Sequence, residues 1–269
     1  MRAISHLSAA PIRFPAELVE ADIERCGRCM TDPPLDFAFD YAFQPIVDLA
    51  TRSVYAHEAL IRGPAGEPAH TVLSRVTPSN LYRFDQACRV HAIASAVAVD
   101  MQEALSINFF PNAIYKPEVC IRTTLTAARE HGFRLDRLIF EVSETECVSD
   151  RKRLANIMAE YRRMGFTTAI DDFGAGYAGL NLLADFQPDL IKLDMDLVRA
   201  IDAHPARRAI VRGLVAVCRD LGVKLLAEGI ETVAERDCLL DLGITLMQGW
   251  LFAKPAFKAV AEVDVRRWV

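Results

Sequence analysis

The sequence predicts an α/β fold, a (β/α)8 TIM-like barrel with its first strand antiparallel, and three observations predict it. Eight short β-type runs alternate with helical stretches from residue 37 onward, the pattern of strands closed into a ring with helices outside. The first two runs are separated only by residues 48–52, too few for a parallel crossover, so they must pair antiparallel. The later connections, 152–164 and 206–221, place Leu, Ile, Val and Ala at helical spacing among Arg and Asp, as outer helices require.

In chain order, residues 1–36 carry Pro11, Pro15, Pro33 and Pro34 around one short helical stretch at 15–26, and read as an arm and not as a separate domain. Residues 37–269 form one barrel domain. Its strands are expected in DYAFQPIV, SVYAHEAL, ALSINFF, RLIFEV, FTTAIDDF, DLIKLDM, KLLAEG and TLMQGW. The stretch 65–77 is rich in Pro, Gly and Ala and reads as a loop leading into a helix over 81–101.

Composition narrows the function classes. With 52% hydrophobic and 25% charged residues the chain is built for a packed core. Its net charge of −5 provides no basic field for long nucleic acid. The longest largely apolar run, 92–99, is far below the roughly 20 residues of a membrane span. Seven cysteines, an odd number set mostly in apolar segments, suit reduced thiols and a cytoplasmic location. Cys26 and Cys29 have CxxC spacing without the second ligand pair of a structural zinc site. The six histidines show no paired metal-ligand spacing.

Barrel active sites gather where the strands end at their C-terminal face. Glu58, Asn108, Glu141, Asp171, Asp172, Lys192, Glu228 and Gln248 all fall near such ends. A single carboxylate there is ordinarily a cap or a surface charge. Five at one mouth repel each other unless cations compensate them, and oxygen-rich sets of this kind suit Mg²⁺ or Mn²⁺. The adjacent Asp171 and Asp172 allow one site to be shared by two ions, the arrangement that serves phosphodiester hydrolysis.

The run YAHEALIRG at 55–63 contains the tripeptide Glu58-Ala59-Leu60. FQPI at 43–46, SINF at 106–109, FEVSE at 140–144, DDFGAGY at 171–177, IKLD at 191–194, AEGIE at 227–231 and QGWLFAKP at 248–255 follow in order. In this set and spacing the chain resembles the EAL family of cyclic di-GMP phosphodiesterases, as a stand-alone domain. The resemblance implies hydrolysis of cyclic di-GMP to linear pGpG by a two-metal mechanism, lowering a signal that controls biofilm and motility. It implies that Glu58, Asn108, Glu141 and Asp171 hold one Mg²⁺ or Mn²⁺ ion and Asp171, Asp172 and Glu228 a second.

By the same resemblance Lys192 contacts the hydrolytic water, Gln44, Leu60 and Arg62 lie on the substrate, and Gln248 and Glu231 steady ligands and water. Glu144 steadies the loop carrying Gly174 and Gly176, which touches both the metal site and a homodimer interface. Two departures stand out: Ala175 where the family has a hydroxyl residue, and Gly63 where a tryptophan commonly follows the arginine. The segment 64–80 is also short. The alternative implied by the family is a catalytically weak cyclic di-GMP-binding effector that regulates a partner protein.

Overall fold

The computed structural model describes residues 34–114, 116–145, 151–176 and 179–268. The expected helix at 15–26 and the Cys26/Cys29 spacing lie outside them. The barrel starts with a hairpin, β1 (Asp40–Asp48) and β2 (Ser53–Arg62), in which Asp40 faces Arg62 and Gln44 faces Glu58 across an antiparallel ladder. The parallel run continues through β3 (Ala104–Asn108), β4 (Leu138–Ser143), β5 (Thr167–Phe173), β6 (Leu190–Leu193), β7 (Lys224–Ala227) and β8 (Leu246–Met247). β1 also pairs antiparallel with β8, which closes the ring, and β9 (Ala256–Phe257) adds to the β1 edge.

The barrel interior follows the period of two along a strand. Ile46, Ala56, Ile139, Ala169, Leu190, Leu226 and Leu246, with Ala104 packed against them, form one apolar layer. Each strand contributes one of these residues. Two residues further toward the mouth stand Gln44, Glu58, Glu141, Asp171 and Lys192 on their strands, Ser106 on β3, and Glu228 and Gln248 just past the ends of β7 and β8. The apolar layer therefore forms a dry floor beneath a polar layer. The floor fixes the strands, and the pleat aims every polar side chain above it at the same axis.

Nine helices are described outside or around the mouth: α1 (Ala69–Leu73), α2 (Leu81–Ala98), α3 (Pro117–Cys120), α4 (Arg122–Glu130), α5 (Arg151–Arg163), α6 (Gly179–Asp185), α7 (Met195–Val198), α8 (Pro205–Leu221) and α9 (Val233–Asp241). α2 buries Phe84, Ala87, Cys88, Ala92, Ile93 and Ala96. α5 buries Leu154, Ile157, Met158 and Tyr161. Each large apolar side chain so buried contributes about 1.5–3 kcal/mol. α8 starts on Pro205 and stops at Gly222, which holds φ +72, the asymmetry expected of helix ends.

Two expectations need revision. The stretch 65–77 is not all loop: α1 forms within it, started by Pro68 and burying Val72. Pro68 cannot extend a strand but tolerates the first turn of a helix, and one apolar anchor is enough for this short turn. The helix expected over 81–101 ends at Ala98, with Asp100 in the left-handed region at φ 54 and Met101 folded back to pack in the core. Among the described residues no helix is long and apolar enough to cross a membrane, and Cys88, Cys120, Cys218 and Cys238 are free thiols.

Candidate active site

Lys192 is the centre of the polar layer. β6 buries all four of its residues, so the lysine, only 1% exposed, has its ammonium inside the barrel. Its Nζ lies 2.8 Å from Glu228 Oε1, 3.0 Å from Glu141 Oε2, 3.0 Å from Asp171 Oδ1 and 3.3 Å from Glu58 Oε2. Burial alone would strip its proton. The surrounding carboxylates outweigh that and hold the ammonium charged well above its ordinary range.

One ammonium does not balance this set. Burial pushes the Glu141 carboxyl up to about 8 against the pull of Lys192, with Glu58 and Asp171 adding to the rise. Burial raises Glu228 strongly in the same way, opposed by Lys192 and reinforced by Asp171 and Glu58. Burial and the neighbouring Asp171 carboxylate lift Asp172 to about 6. The charge is in surplus and the surplus is negative.

The oxygens are close enough to share cations. Glu58, Glu141 and Asp171 each offer an oxygen within 4.8 Å of the others, and so do Asp171, Asp172 and Glu228. Asp171 belongs to both groups. Asp172 adopts φ 53 at the strand end, where β5 and β6 shift register between Ile170 and Phe173. This irregularity lets two successive residues face one site. Oxygen-only, anionic donor sets of this kind fit hard divalent cations.

Neutral groups orient the ligands. Asn108 Nδ2 donates to Glu58 Oε1 at 3.2 Å and Gln248 Nε2 donates to Glu58 Oε2 at 2.9 Å. Ser106 Oγ donates to Glu141 Oε1. Gln248 Oε1 is buried without a hydrogen-bond partner, an acceptor left over at the site. Glu58 stands in mid-strand on β2, but the β2–β3 pairing ends at Glu58 and Ser106. Beyond them β2 runs on only with β1, so Glu58 marks the end of the ring proper.

Glu144, fully buried just past β4, accepts the Gly174 N–H at 2.8 Å and the Gly176 N–H at 3.2 Å on one carboxylate oxygen. This ties the loop after β5 to the end of β4. Gly174 holds φ +103, a backbone conformation that L side chains rarely adopt, so the position favours glycine. Ala175, exposed, closes its turn with a backbone bond from its N–H to the Asp172 carbonyl. Gly63 sits in a tight turn whose N–H donates to the Glu67 carbonyl. A larger residue would collide with the Glu67 side chain, which accounts for its small size here.

Two cavities flank the carboxylates. One, of about 440 Å³, is lined among others by Gln44, Glu58, Asp172, Glu228 and Gln248. The other, of about 250 Å³ and largely apolar, is lined by Leu60, Arg62 and Asn108 together with Leu73, Phe84 and Phe110. Arg62 donates to the carbonyl of Ile61, and Gln44 Nε2 donates to the Ala253 carbonyl at 3.3 Å. Glu231 lies on the rim, 41% exposed, with its carboxylate 2.6 Å from Arg199 Nη1. It makes no described contact with the central carboxylates.

Arg199 and Ser106 were not singled out from the sequence. Ser106 lies within the SINF run and keeps the inward phase of β3, which is the signal for it. Arg199 carries no such signal, because it reaches the site from the end of the four-residue helix α7.

A family model described as the EAL domain matches residues 36–255. The blue light- and temperature-regulated antirepressor BluF of Escherichia coli (strain K12) is 29% identical over 256 residues, covering 93% of this chain and 63% of BluF. The cyclic di-GMP phosphodiesterase RocR of Pseudomonas aeruginosa is 37% identical over 118 residues, 44% of this chain and 30% of RocR. The chain thus spans less than two thirds of these curated relatives. A crystal structure of a standalone versatile EAL protein from Vibrio cholerae O395, in its c-di-GMP-bound form, superposes with a TM-score of 0.84 at 48% identity, covering 87% of this chain and 98% of that one. On the family match and on the barrel that carries it, the chain belongs to the EAL domain family.

Proposed function

We propose that the protein hydrolyses cyclic di-GMP to linear pGpG at the carboxylate layer. The observation that carries this reading is the ring of four carboxylates within 3.3 Å of a buried lysine ammonium. Such a surplus of buried negative charge is costly as a structural feature, and it becomes useful when divalent cations are bound. The named activity of RocR and the c-di-GMP-bound Vibrio cholerae relative support the choice of substrate.

In this reading Glu58, Asn108, Glu141 and Asp171 hold one Mg²⁺ or Mn²⁺ ion, and Asp171, Asp172 and Glu228 hold a second. When bound, the pair supplies Lewis acidity to the phosphoryl oxygens and lowers the pKa of water. Lys192, kept protonated by its neighbours, donates to the attacking water and orients it. Water adds to one phosphorus, one P–O bond of the ring breaks, and the leaving sugar oxygen takes up a proton. Gln248 and Asn108 keep Glu58 from rotating.

Gln44, Leu60 and Arg62 contact the substrate from the β1–β2 side, the Arg62 fork suiting a phosphate oxygen. Glu144 holds the Gly174–Gly176 loop so that Asp171 and Asp172 stay in place. The same reading makes the protein a cytoplasmic homodimer through the region of that loop. A second reading, a binding module that controls a partner protein, is favoured by the likeness to BluF, an antirepressor by name. Against it, every carboxylate of the two clusters is present.

The test is to incubate the purified protein with cyclic di-GMP and Mn²⁺ and follow pGpG, with Glu58→Ala and Lys192→Ala as controls. Turnover in the parent and its loss in both variants supports hydrolysis. Tight binding without turnover supports the second reading.

A further inference from the structure

The opposite end of the barrel, below the apolar floor, carries a cavity of its own. In the β1–β2 ladder Ile46 faces Ala56 but Val47 faces Val54, which leaves Tyr55 as an extra residue, a bulge. A regular strand would turn Tyr55 to the other face from Ala56. The bulge lets Tyr55 pack against the same floor layer to which Ala56 belongs. β7 pairs with β8 only at Leu226 and Ala227, so Lys224 and Leu225 run below the start of β8. There, between Tyr55, the start of β7 and the last turns of α8, opens a cavity of about 310 Å³.

Its base is apolar: Cys218, Val223, Ile244 and Leu246 line it and are buried. Its charged residues come from the end of α8. Val223 N–H donates to the Cys218 carbonyl at 2.8 Å and Gly222 N–H to the Arg219 carbonyl at 3.2 Å, a reversal that ends the helix and starts β7. Arg219 and Lys224, both exposed, flank this turn in sequence and both line the cavity.

Neither cation is well paired among the described residues. Lys224 Nζ lies over the Tyr55 ring at 5.3 Å. Asp189, whose carbonyl accepts the Lys224 N–H, has its carboxylate on Thr168 and Arg162. Arg219 has the adjacent Asp220 at 3.6 Å, with both side chains 76% exposed, an ion pair of little strength. Asp48 also lines the cavity, and its Oδ1 already accepts the Ala50 N–H at 3.0 Å.

We infer that this cavity is a binding site for a small organic monocarboxylate with an apolar body. The buried base takes the body, and the Lys224 ammonium and the Arg219 fork take the carboxylate. Two cations against the Asp48 carboxylate leave one positive charge in surplus, which suits a monoanion. A phosphate monoester would bring a second negative charge toward Asp48. The volume is at the small end for ligand sites and limits the body to about two rings. The site is separated from the carboxylate layer by the floor and does not depend on the reaction proposed above.

The experiment titrates the full chain with naphthoate by calorimetry, with and without Mn²⁺, beside naphthalenemethanol, acetate and naphthyl phosphate. Saturable binding of one naphthoate per chain is expected, unaltered by Mn²⁺. The alcohol lacks the charge and acetate lacks the body, so both bind more weakly, as does the phosphate in metal-free protein. Lys224→Gln and Arg219→Gln each weaken naphthoate by about threefold to fivefold, the scale of one exposed charge contact, and leave the alcohol unchanged, a contrast that unfolding would not give. Thr245→Trp, which puts an indole on the lining, abolishes binding.

Absence of saturable binding overturns the site, as does unchanged naphthoate affinity in both Lys224→Gln and Arg219→Gln. Binding that appears only with Mn²⁺ places the acid at the mouth and overturns it too. An alcohol or a phosphate that binds as tightly as the acid in metal-free protein overturns the choice of a monocarboxylate.

Discussion

The Lys192 ammonium donates to Glu141 Oε2 across 3.0 Å, at a depth where neither side chain is more than 1% exposed. The lysine is the one internal cation in contact with Glu58, Glu141, Asp171 and Glu228 among the described residues. Lys192→Met should therefore destabilise the metal-free protein by about 3–5 kcal/mol, the usual cost of breaking a buried ion pair. Mn²⁺ should restore a large part of the loss without restoring turnover. Thermal melts with and without Mn²⁺, set beside a pGpG assay, check this.

The pH dependence of the metal-free protein follows from Glu141. Its folded pKa of about 8 lies above the ordinary 4.5, so between the two the folded state keeps a proton that the unfolded chain has released. Its contribution is therefore present at low pH and lost as pH rises through about 8. Cations displace that proton, so the gain in Tm from Mn²⁺ should be larger at about pH 8.5 than at about pH 6. Equal gains at both would contradict the assignment of Glu141 as a ligand.

Glu144 gives a separable prediction. Removing its carboxylate in Glu144→Ala leaves the Gly174 and Gly176 N–H groups without their acceptor, at about 1–3 kcal/mol for each that stays unsatisfied. Turnover should fall by tenfold or more, because Asp171 and Asp172 belong to the strand that feeds this loop. Glu144→Gln, which keeps an acceptor oxygen, should retain more activity than Glu144→Ala.

Away from the site, Asp85 accepts from Arg89 Nη2 at 2.7 Å and from the Phe110 N–H at 2.9 Å. Both partners of the ion pair are buried. Asp85→Ala should cost about 3–5 kcal/mol by leaving the guanidinium unpaired. It should also weaken Mn²⁺ binding, since Phe110 follows Asn108 by two residues at the exit of β3. Chemical denaturation and metal titration of the variant measure the two effects.

Much of this site was legible because strands repeat every two residues. Once Glu58, Glu141, Asp171, Lys192, Glu228 and Gln248 were assigned to strands of one ring, closure had to bring them to one axis. The antiparallel β1–β2 hairpin was legible from a connection too short for any alternative. The rim was not: Arg199 reaches it from the end of α7, and its place depends on how the β6 and β7 loops pack. α1 was hidden for a similar reason, since Pro and Gly dominate local composition while one buried Val72 decides the conformation.

The carboxylate layer as a two-cation site is tested most directly by titrating the metal-free protein with Mn²⁺ and counting bound ions by electron paramagnetic resonance. The parent should take up two ions per chain. Glu228→Ala, which breaks only the cluster shared with Asp171 and Asp172, should take up one. A parent that binds no Mn²⁺, or a Glu228→Ala variant that still binds two ions as tightly, would contradict the account.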